Sequence, residues 1–406
     1  MPPAKKKTTE TPSATEQKST ALTAAFAFLK EKKNTAAIKA LVHIDEDQHR
    51  SSLPHFSSGS LIIDFLIGGR PNKHGVMPCP GFPRGRIVQV YGQPSAGKTT
   101  LALTASASVI RAGGTVCYID FENAISIPYA KALGIPVGDE SKFILAQPMT
   151  LEEGTSILNA MVMAGVDLVV VDSVGEGVFQ AQRDQALDAD AKGTGIGAHA
   201  RYWSEQIAEV RGYMNKSNTC LLGVSQVRTN IKAASGPGEL HMARGGQAWQ
   251  FGSDIRIYLR VILKEKGKVY DPLTNKQVEK TVATTVKAEI KKSRISASQG
   301  MDADFHIRFG EGIDDAQSII DVASAHGIIT GSTWITWVRA NGEEIKANGK
   351  EKFRAALLDA PGAWEEMRTA IMMKLAESTK VVQVVVEDDD ILPEYDPIDI
   401  LPVEED

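Results

Sequence analysis

Residues 87–112 hold the feature that most constrains how this chain can fold. An apolar run, IVQVYG (87–92), ends in Gly92-Gln93-Pro94-Ser95-Ala96-Gly97-Lys98-Thr99, and the helix-forming stretch TLALTASASVIRA (100–112) follows. This fits G-x-x-x-x-G-K-[ST] in the strand–loop–helix context that gives the pattern its meaning. Gly92 and Gly97 permit a tight turn whose amides converge on phosphate oxygens. The helix start adds a fixed positive potential. Lys98 supplies a point charge for the β- and γ-phosphates, and the Thr99 hydroxyl suits a Mg²⁺ shell, with Thr100 completing the nucleotide cradle.

The pattern around this loop predicts an α/β protein. Strands VCYID (116–120), FILAQ (143–147), LVVVD (168–172) and CLLGVSQ (220–226) alternate with helices LEEGTSILNAMVMA (151–164) and AHARYWSEQIAEVRGYMN (198–215). Short apolar strands with helices between them imply a mostly parallel sheet covered on both faces. Two β-rich runs, 253–263 and 280–294, flank the turn-like YDPLTN (270–275). Residues 314–378 mix helices with a hairpin around Asn341–Gly342 and read as a small separate α/β domain. Ahead of the core, 68–85 reads as a Gly/Pro-rich loop. Residues 21–43 carry Leu22, Phe26, Leu29, Ile38 and Leu41 at helical spacing. Residues 1–20 are too polar to order themselves.

Composition narrows the function classes. Three widely spaced cysteines exclude a disulfide framework and show no zinc-type pairing. No apolar run approaches the ~18–20 residues of a membrane helix, and the first twenty residues lack a secretory core. A soluble, cytoplasmic protein is expected. The net charge of −5 argues at face value against nucleic acid. Yet residues 387–406 hold ten acidic residues and no Lys or Arg, leaving 45 basic and 40 acidic residues, a body of +5. The tail is then either a solvated, inert extension or an electrostatic competitor with nucleic acid for the basic surfaces.

Three strand ends offer partners for the phosphate loop. Asp172 closes LVVVD and is placed to hold the Mg²⁺ shell, a plain turn cap being the alternative. In Tyr118-Ile-Asp120-Phe-Glu122, Glu122 is the candidate to polarise water for hydrolysis, with Asp120 its local rival. Gln226 closes CLLGVSQ before a long polar segment. It is either a γ-phosphate sensor that passes nucleotide state onward or an ordinary turn residue.

With those residues placed, the chain resembles the RecA recombinases, including their phage relatives, over about residues 20–378. The resemblance is carried by SSGSLIIDFLIGG (57–69), GRIVQVYGQPSAGKTT (85–100), CYIDFENAISIPYAKALG (117–134), VVVDSVG (169–175) and SNTCLLGVSQVR (217–228). It continues through RGGQAWQFGSDIRI (244–257), IKKSRISAS (290–298) and FGEGID (309–314). The basic N-terminal extension, the insertion at 70–84 and a variant second loop lean toward a phage relative.

The resemblance implies a RecA-type P-loop ATPase core (49–313) with a small N-terminal helical polymerisation element (21–48) and a small C-terminal α/β domain (314–378) that captures duplex DNA. A basic tail (1–20) and an acidic tail (379–406), both disordered, flank these. The implied activity is a DNA-dependent ATPase that uses ATP and Mg²⁺ to build helical homo-oligomeric filaments on single-stranded DNA. Those filaments exchange strands with homologous double-stranded DNA in recombination and DNA-damage repair, in a bacterial or phage-infected cytoplasm. Single-strand-binding and mediator proteins are further implied partners. A ring helicase on the same core, or an ATP-binding assembly that exchanges no strands, is the alternative class.

By the same resemblance Glu122 is the catalytic glutamate, Gln226 the γ-phosphate sensor and Tyr129 the residue stacking on adenine. Ser126 stands where bacterial members usually carry an aspartate near the adenine amino group. Lys292 and Arg294 match two cations that reach the ATP of the adjacent protomer, the second changed from Lys to Arg. Phe251 matches an interface aromatic. Two DNA-binding loops map to about 187–197 and 227–246. Arg201, Arg228, Lys232 and Arg244, with Gly245 and Gly246, are implied phosphate contacts. Ile196 and Ile231 are implied wedges between base steps. The second loop departs from bacterial relatives in being slightly longer and in lacking an aromatic residue.

Overall fold

Apolar side chains at consecutive strand positions must leave on opposite faces, so runs such as LVVVD need cover on both sides. The computed structural model, which describes residues 52–69, 76–187, 198–229, 241–243 and 246–380, provides it. Strand β1 (His55–Phe56) and helix α1 (Leu61–Gly68) come first, and β2 (Phe82–Pro83) pairs antiparallel with β1. The alternating core follows as β3 (Ile87–Gly92), α2 (Lys98–Arg111), β4 (Val116–Asp120), α3 (Ile127–Ala132), β5 (Phe143–Ala146), α4 (Leu151–Ala164) and β6 (Leu168–Asp172). Helices α5 (Gln180–Leu187) and α6 (Ala198–Ser217) precede β7 (Cys220–Thr229), β8 (His241–Ala243) and α7 (Gly246–Gly252). A long hairpin, β9 (Ile255–Asp271) and β10 (Lys276–Ser293), leads to β11 (Asp302–Arg308) and β12 (Gly312–Ile313). The C-terminal part contains α8 (Asp315–Ala325), β13 (Trp334–Val338), β14 (Glu344–Asn348), α9 (Lys350–Asp359) and α10 (Ala363–Lys380).

The main sheet runs β12-β11-β10-β9-β3-β7-β6-β4-β5, with β8 paired to β7. From β9 to β5 every pair is parallel, and from β9 to β12 every pair is antiparallel. Strand alternation sorts the core into two clusters. Val88, Val90, Val116, Tyr118, Leu168, Val170, Leu222 and Val224 pack on the α2 side. Cys117, Ile119, Val169, Val171 and Leu221 pack on the other, with Trp203 of α6 and Trp249 of α7. A third cluster joins Leu61 to Ile319, Ile335, Trp337, Phe353, Leu357 and Met367. All three cysteines are buried and free; burial pushes the Cys79 and Cys117 thiols up to about 12.

Several expectations change in detail. The β9/β10 hairpin extends well beyond 263, because KEKGKVY stays paired with 277–284 as an exposed, charged ribbon rather than ending the strand. The 227–246 segment has paired ends, Arg228 standing opposite Met242, so it is not loop throughout. Leu187 belongs to α5, and α10 runs to Lys380, two residues into the stretch expected as tail. The N-terminal helix at 21–48, residues 188–197 of the first loop, and the acidic segment 387–406 lie outside the described residues.

A polar seam joins β11 to α8. His306 Nε2 bonds Asp321 Oδ2 at 2.9 Å, and its Nδ1 bonds Thr285 Oγ1 at 3.2 Å. Lys350 donates to Asp321 Oδ1 at 2.7 Å. Asp314 caps α8 through the Gln317 amide and accepts from Arg308 and Arg354. The Asp321 hydrogen bond holds the His306 pKa above 6.5 despite burial. Burial would raise Asp321, but bonds from His306 and Lys350 outweigh it and hold that pKa below 3.8. The histidine's contribution is therefore complete below its unfolded value and lost as pH rises through the folded one. The aspartate's is lost as pH falls through its own depressed value, so the pair stabilises most between those limits. His306→Gln is expected to lower Tm by a few degrees near pH 5.5 and by less at pH 9. Thermal unfolding across pH checks this; an equal loss at both values would contradict it.

Candidate active site

Gly92 ends β3 where that strand lies between β7 and β9. A Cβ there would stand 2.2 Å from the backbone carbonyl oxygen of Leu259. Gly97 caps α2 at φ +81°, and a Cβ there would stand 2.1 Å from the Ile307 side chain. The first glycine of the motif is thus required by close approach to backbone, and the second by its left-handed conformation. Lys98 is buried and donates from Nζ to the Gln93 carbonyl at 2.8 Å, closing the loop on itself. Burial lowers its pKa, and the carboxylates of Asp172 and Glu122 oppose that shift.

Asp172 ends β6 in the same edge. Its Oδ2 accepts from Thr99 Oγ1 at 2.8 Å and from the Tyr118 hydroxyl at 2.7 Å. Burial raises its pKa, against the lowering effect of those two donors. The Thr99 hydroxyl and Asp172 carboxylate form an oxygen pair beside the loop, the donor chemistry that suits Mg²⁺. Tyr118 was legible only as a strand residue; its hydroxyl acts across the sheet from the neighbouring strand, a tertiary relation without a local sequence signal. Among the described residues no group of three or more His, Cys, Asp or Glu is arranged to hold a metal ion. No described helix is long and apolar enough to cross a membrane.

Glu122 and Asp120 separate cleanly. Asp120 is buried and accepts from the Ala124 and Ile125 amides at 3.3 and 3.2 Å and from Gln147 Nε2 at 3.3 Å, so it clamps the following turn. Glu122 is exposed, and its Oε1 accepts from Gln226 Nε2 at 3.1 Å. Glu122 and Gln226 line a cavity of about 740 Å³ with Phe121, Gln147, Met149 and Arg183. A second cavity of about 470 Å³ is lined by Ser95, Gly97, Lys98, Thr99, Thr100 and Tyr129, and by Thr284, Arg308, Phe309 and Gly310 across from them. Tyr129 sits on α3 and donates to Thr100 Oγ1 at 3.2 Å, while Ser126 caps that helix through the Tyr129 amide at 3.4 Å. Phe309 and Gly310 belong to the FGEGID segment, which had signalled family likeness without a role for those two residues.

The remaining expected residues lie elsewhere. Lys292 Nζ donates to the Gln250 and Phe251 carbonyls at 3.0 Å each, and Arg294 donates to the Phe251 carbonyl at 3.0 Å. These cations therefore meet the C-terminal end of α7, not the phosphate loop. Burial, then Arg294 and Arg256, lower the Lys292 pKa to about 8. Phe251 is 62% exposed. Arg201 is exposed on α6, Arg228 lies on β7, and Gly246 opens α7. Ile196, Ile231, Lys232, Arg244 and Gly245 lie outside the described residues.

A family model described as RecA N-terminal domain matches residues 21–314. A protein named Protein RecA from Limosilactobacillus reuteri is 35% identical over 313 residues, 77% of this chain and 77% of the relative. A Protein RecA from Corynebacterium diphtheriae is 31% identical over 404 residues, 99% of this chain and 97% of the relative. Among solved structures, the crystal structure of the RadB recombinase aligns with a TM-score of 0.42 and 22% identity, covering 64% of this chain and 98% of that one.

Gly92→Ala is expected to destabilise the fold by about 1–3 kcal/mol, because the methyl meets the backbone of β9 rather than a yielding side chain. Gly212→Ala, inside α6 with open space beyond it, is expected to be neutral or stabilising. Denaturant midpoints of the two variants check this; equal shifts would contradict it.

Proposed function

The chain belongs to the RecA family, and from that membership and the edge-of-sheet geometry we propose that it is an ATP-dependent recombinase. It binds ATP with Mg²⁺, polymerises on single-stranded DNA, pairs it with homologous duplex and exchanges strands. One observation carries the reading. Glu122 and Gln226 are hydrogen-bonded to each other beside the phosphate loop, and Gln226 leads directly into the 227–246 segment.

In this reading the loop amides and Lys98 hold the phosphates, and Thr99 with Asp172 holds the ion. The bound Mg²⁺ supplies charge neutralisation at the phosphate oxygens. Tyr118 orients the Asp172 carboxylate. Tyr129, from the wall of the 470 Å³ cavity, covers the base. Glu122 orients and polarises the attacking water, and Gln226 exchanges its bond to Glu122 for one to the γ-phosphate. That exchange alters the DNA-facing segment and ties DNA grip to nucleotide state. Lys292 and Arg294 act on the nucleotide of the adjoining protomer, and Phe251 contributes to the same boundary. Residues 21–48 drive polymerisation and 314–378 capture duplex DNA.

Glu122→Gln keeps the bond to Gln226 sterically possible but removes the charge that polarises water. It is expected to retain ATP and DNA binding while losing at least about 100-fold in turnover. Lys98→Ala is expected to lose nucleotide binding as well. Stopped-turnover ATPase assays, with electron microscopy of the Glu122→Gln protein on single-stranded DNA, check both parts. Open helical filaments are expected. Closed rings, or a fully active Glu122→Gln variant, would overturn the reading.

A further inference from the structure

Asp254 immediately precedes β9 and is fixed from several sides. Its amide donates to the Ile87 carbonyl at 2.8 Å, its Oδ2 accepts from the Ile87 amide at 3.0 Å, and its carbonyl accepts from the Arg294 amide at 2.9 Å. The carboxylate is 8% exposed. Its second oxygen, Oδ1, faces two guanidiniums: Arg211 of α6 at 3.5 Å and Arg294 at 3.7 Å. Both distances exceed the ~2.7–2.9 Å of a tight charge-assisted bond. The buried carboxylate is therefore shared, and neither arginine is captured by it.

The same arginines also meet α7. Arg211 donates to the Gly252 carbonyl, Arg294 to that of Phe251, and Lys292 to those of Gln250 and Phe251. Helix C-termini present unpaired carbonyls and a negative potential, so three cations suit that end. Trp249 anchors the helix against Trp203, their ring centroids 5.2 Å apart. Arg294 is the more open of the two arginines, its side chain 50% exposed against 38% for Arg211.

We propose that Asp254 and Arg211 are positioning residues for Arg294: Asp254 aims its guanidinium, and Arg211 balances the carboxylate so that Arg294 stays available to an adjoining copy's nucleotide. This rests on the reading of Lys292 and Arg294 as cations that act across the protomer boundary. Without Arg211, the buried carboxylate has Arg294 as its nearest remaining guanidinium and draws it inward. Without Asp254, Arg294 loses its aim but is not withdrawn.

The order of effects follows from that opposition. Arg211→Gln is expected to lower DNA-dependent kcat about tenfold with KM for ATP changed less than twofold. Asp254→Asn, which keeps an acceptor for the Ile87 amide, is expected to lower it about threefold. The Arg211→Gln/Asp254→Asn double variant is expected to recover to the Asp254→Asn level, and Arg211→Lys to stay within twofold of wild type. Filament assembly with a slowly hydrolysed ATP analogue, followed by sedimentation, should rank the variants identically. A purely structural role instead predicts a double variant worse than either single one in both turnover and Tm. That result, or an Arg211→Lys loss as large as that of Arg211→Gln, would overturn the proposal while leaving the trans reading intact. Should Arg211→Gln fail to fold, an about tenfold kcat loss in Arg211→Lys, or wild-type kcat in Asp254→Asn, would overturn the proposal, and the expected twofold limit and threefold loss would support it. Wild-type turnover in Arg294→Ala would overturn the trans reading, and the proposal with it.

Discussion

In the parallel pairing of β3 with β7, Gly92 stands opposite Gln226, and in that of β4 with β6, Asp120 stands opposite Asp172. This register follows from the apolar content of the strands. Each buries both faces, so a slip would misplace side chains between the two core clusters. Polar side chains inside the sheet are paired there, as Gln89 is with Ser225 at 2.9 Å and with Arg256 at 2.8 Å, and the strands open to a ligand at their carboxyl ends. There the phosphate loop, Asp172, the Tyr118-to-Glu122 turn and Gln226 come to one edge, where open α/β sheets place ligands. The Thr99–Asp172 and Glu122–Gln226 bonds are consequences of that alignment.

Much of this was legible from the chain. LVVVD, IVQVYG and CLLGVSQ read as buried strands because their apolar runs are short and bounded by turns. The helix at 151–164 is marked by Thr150 before it, whose hydroxyl accepts from the Glu153 amide. The phosphate loop is legible because its chemistry is local: glycines, lysine and hydroxyl lie within eight residues. The contest between Asp120 and Glu122 was not decidable locally. Their different surroundings come from Gln147, which reaches Asp120 from beyond β5, and from Gln226, which reaches Glu122 from β7.

What sequence reading missed has a common physical cause. Tyr118, Asp254 and Arg211 act through partners 54, 167 and 43 residues away in the chain. The far part of the β9/β10 hairpin was missed for another reason: it is exposed on both faces, and Lys264, Lys266 and Lys268 read as a solvated charge run. Lys292 and Arg294 resemble a phosphate-reaching pair in sequence, and within one chain they rest on α7 carbonyls. The two halves of the proposed chemistry thus sit at separate places on each copy. In the proposed reading, an assembly that brings the cation end of one copy to the phosphate-loop edge of the next would complete the site.

The central claim is that nucleotide state at this edge governs a DNA transaction that depends on homology. A strand-exchange assay tests it most directly, with single-stranded DNA, ATP and Mg²⁺, and either a homologous or a heterologous duplex. The account predicts product with the homologous duplex and ATP, and none with the heterologous duplex or with ADP. Exchange that ignores homology, or DNA-dependent ATP turnover with no exchange at all, would contradict it.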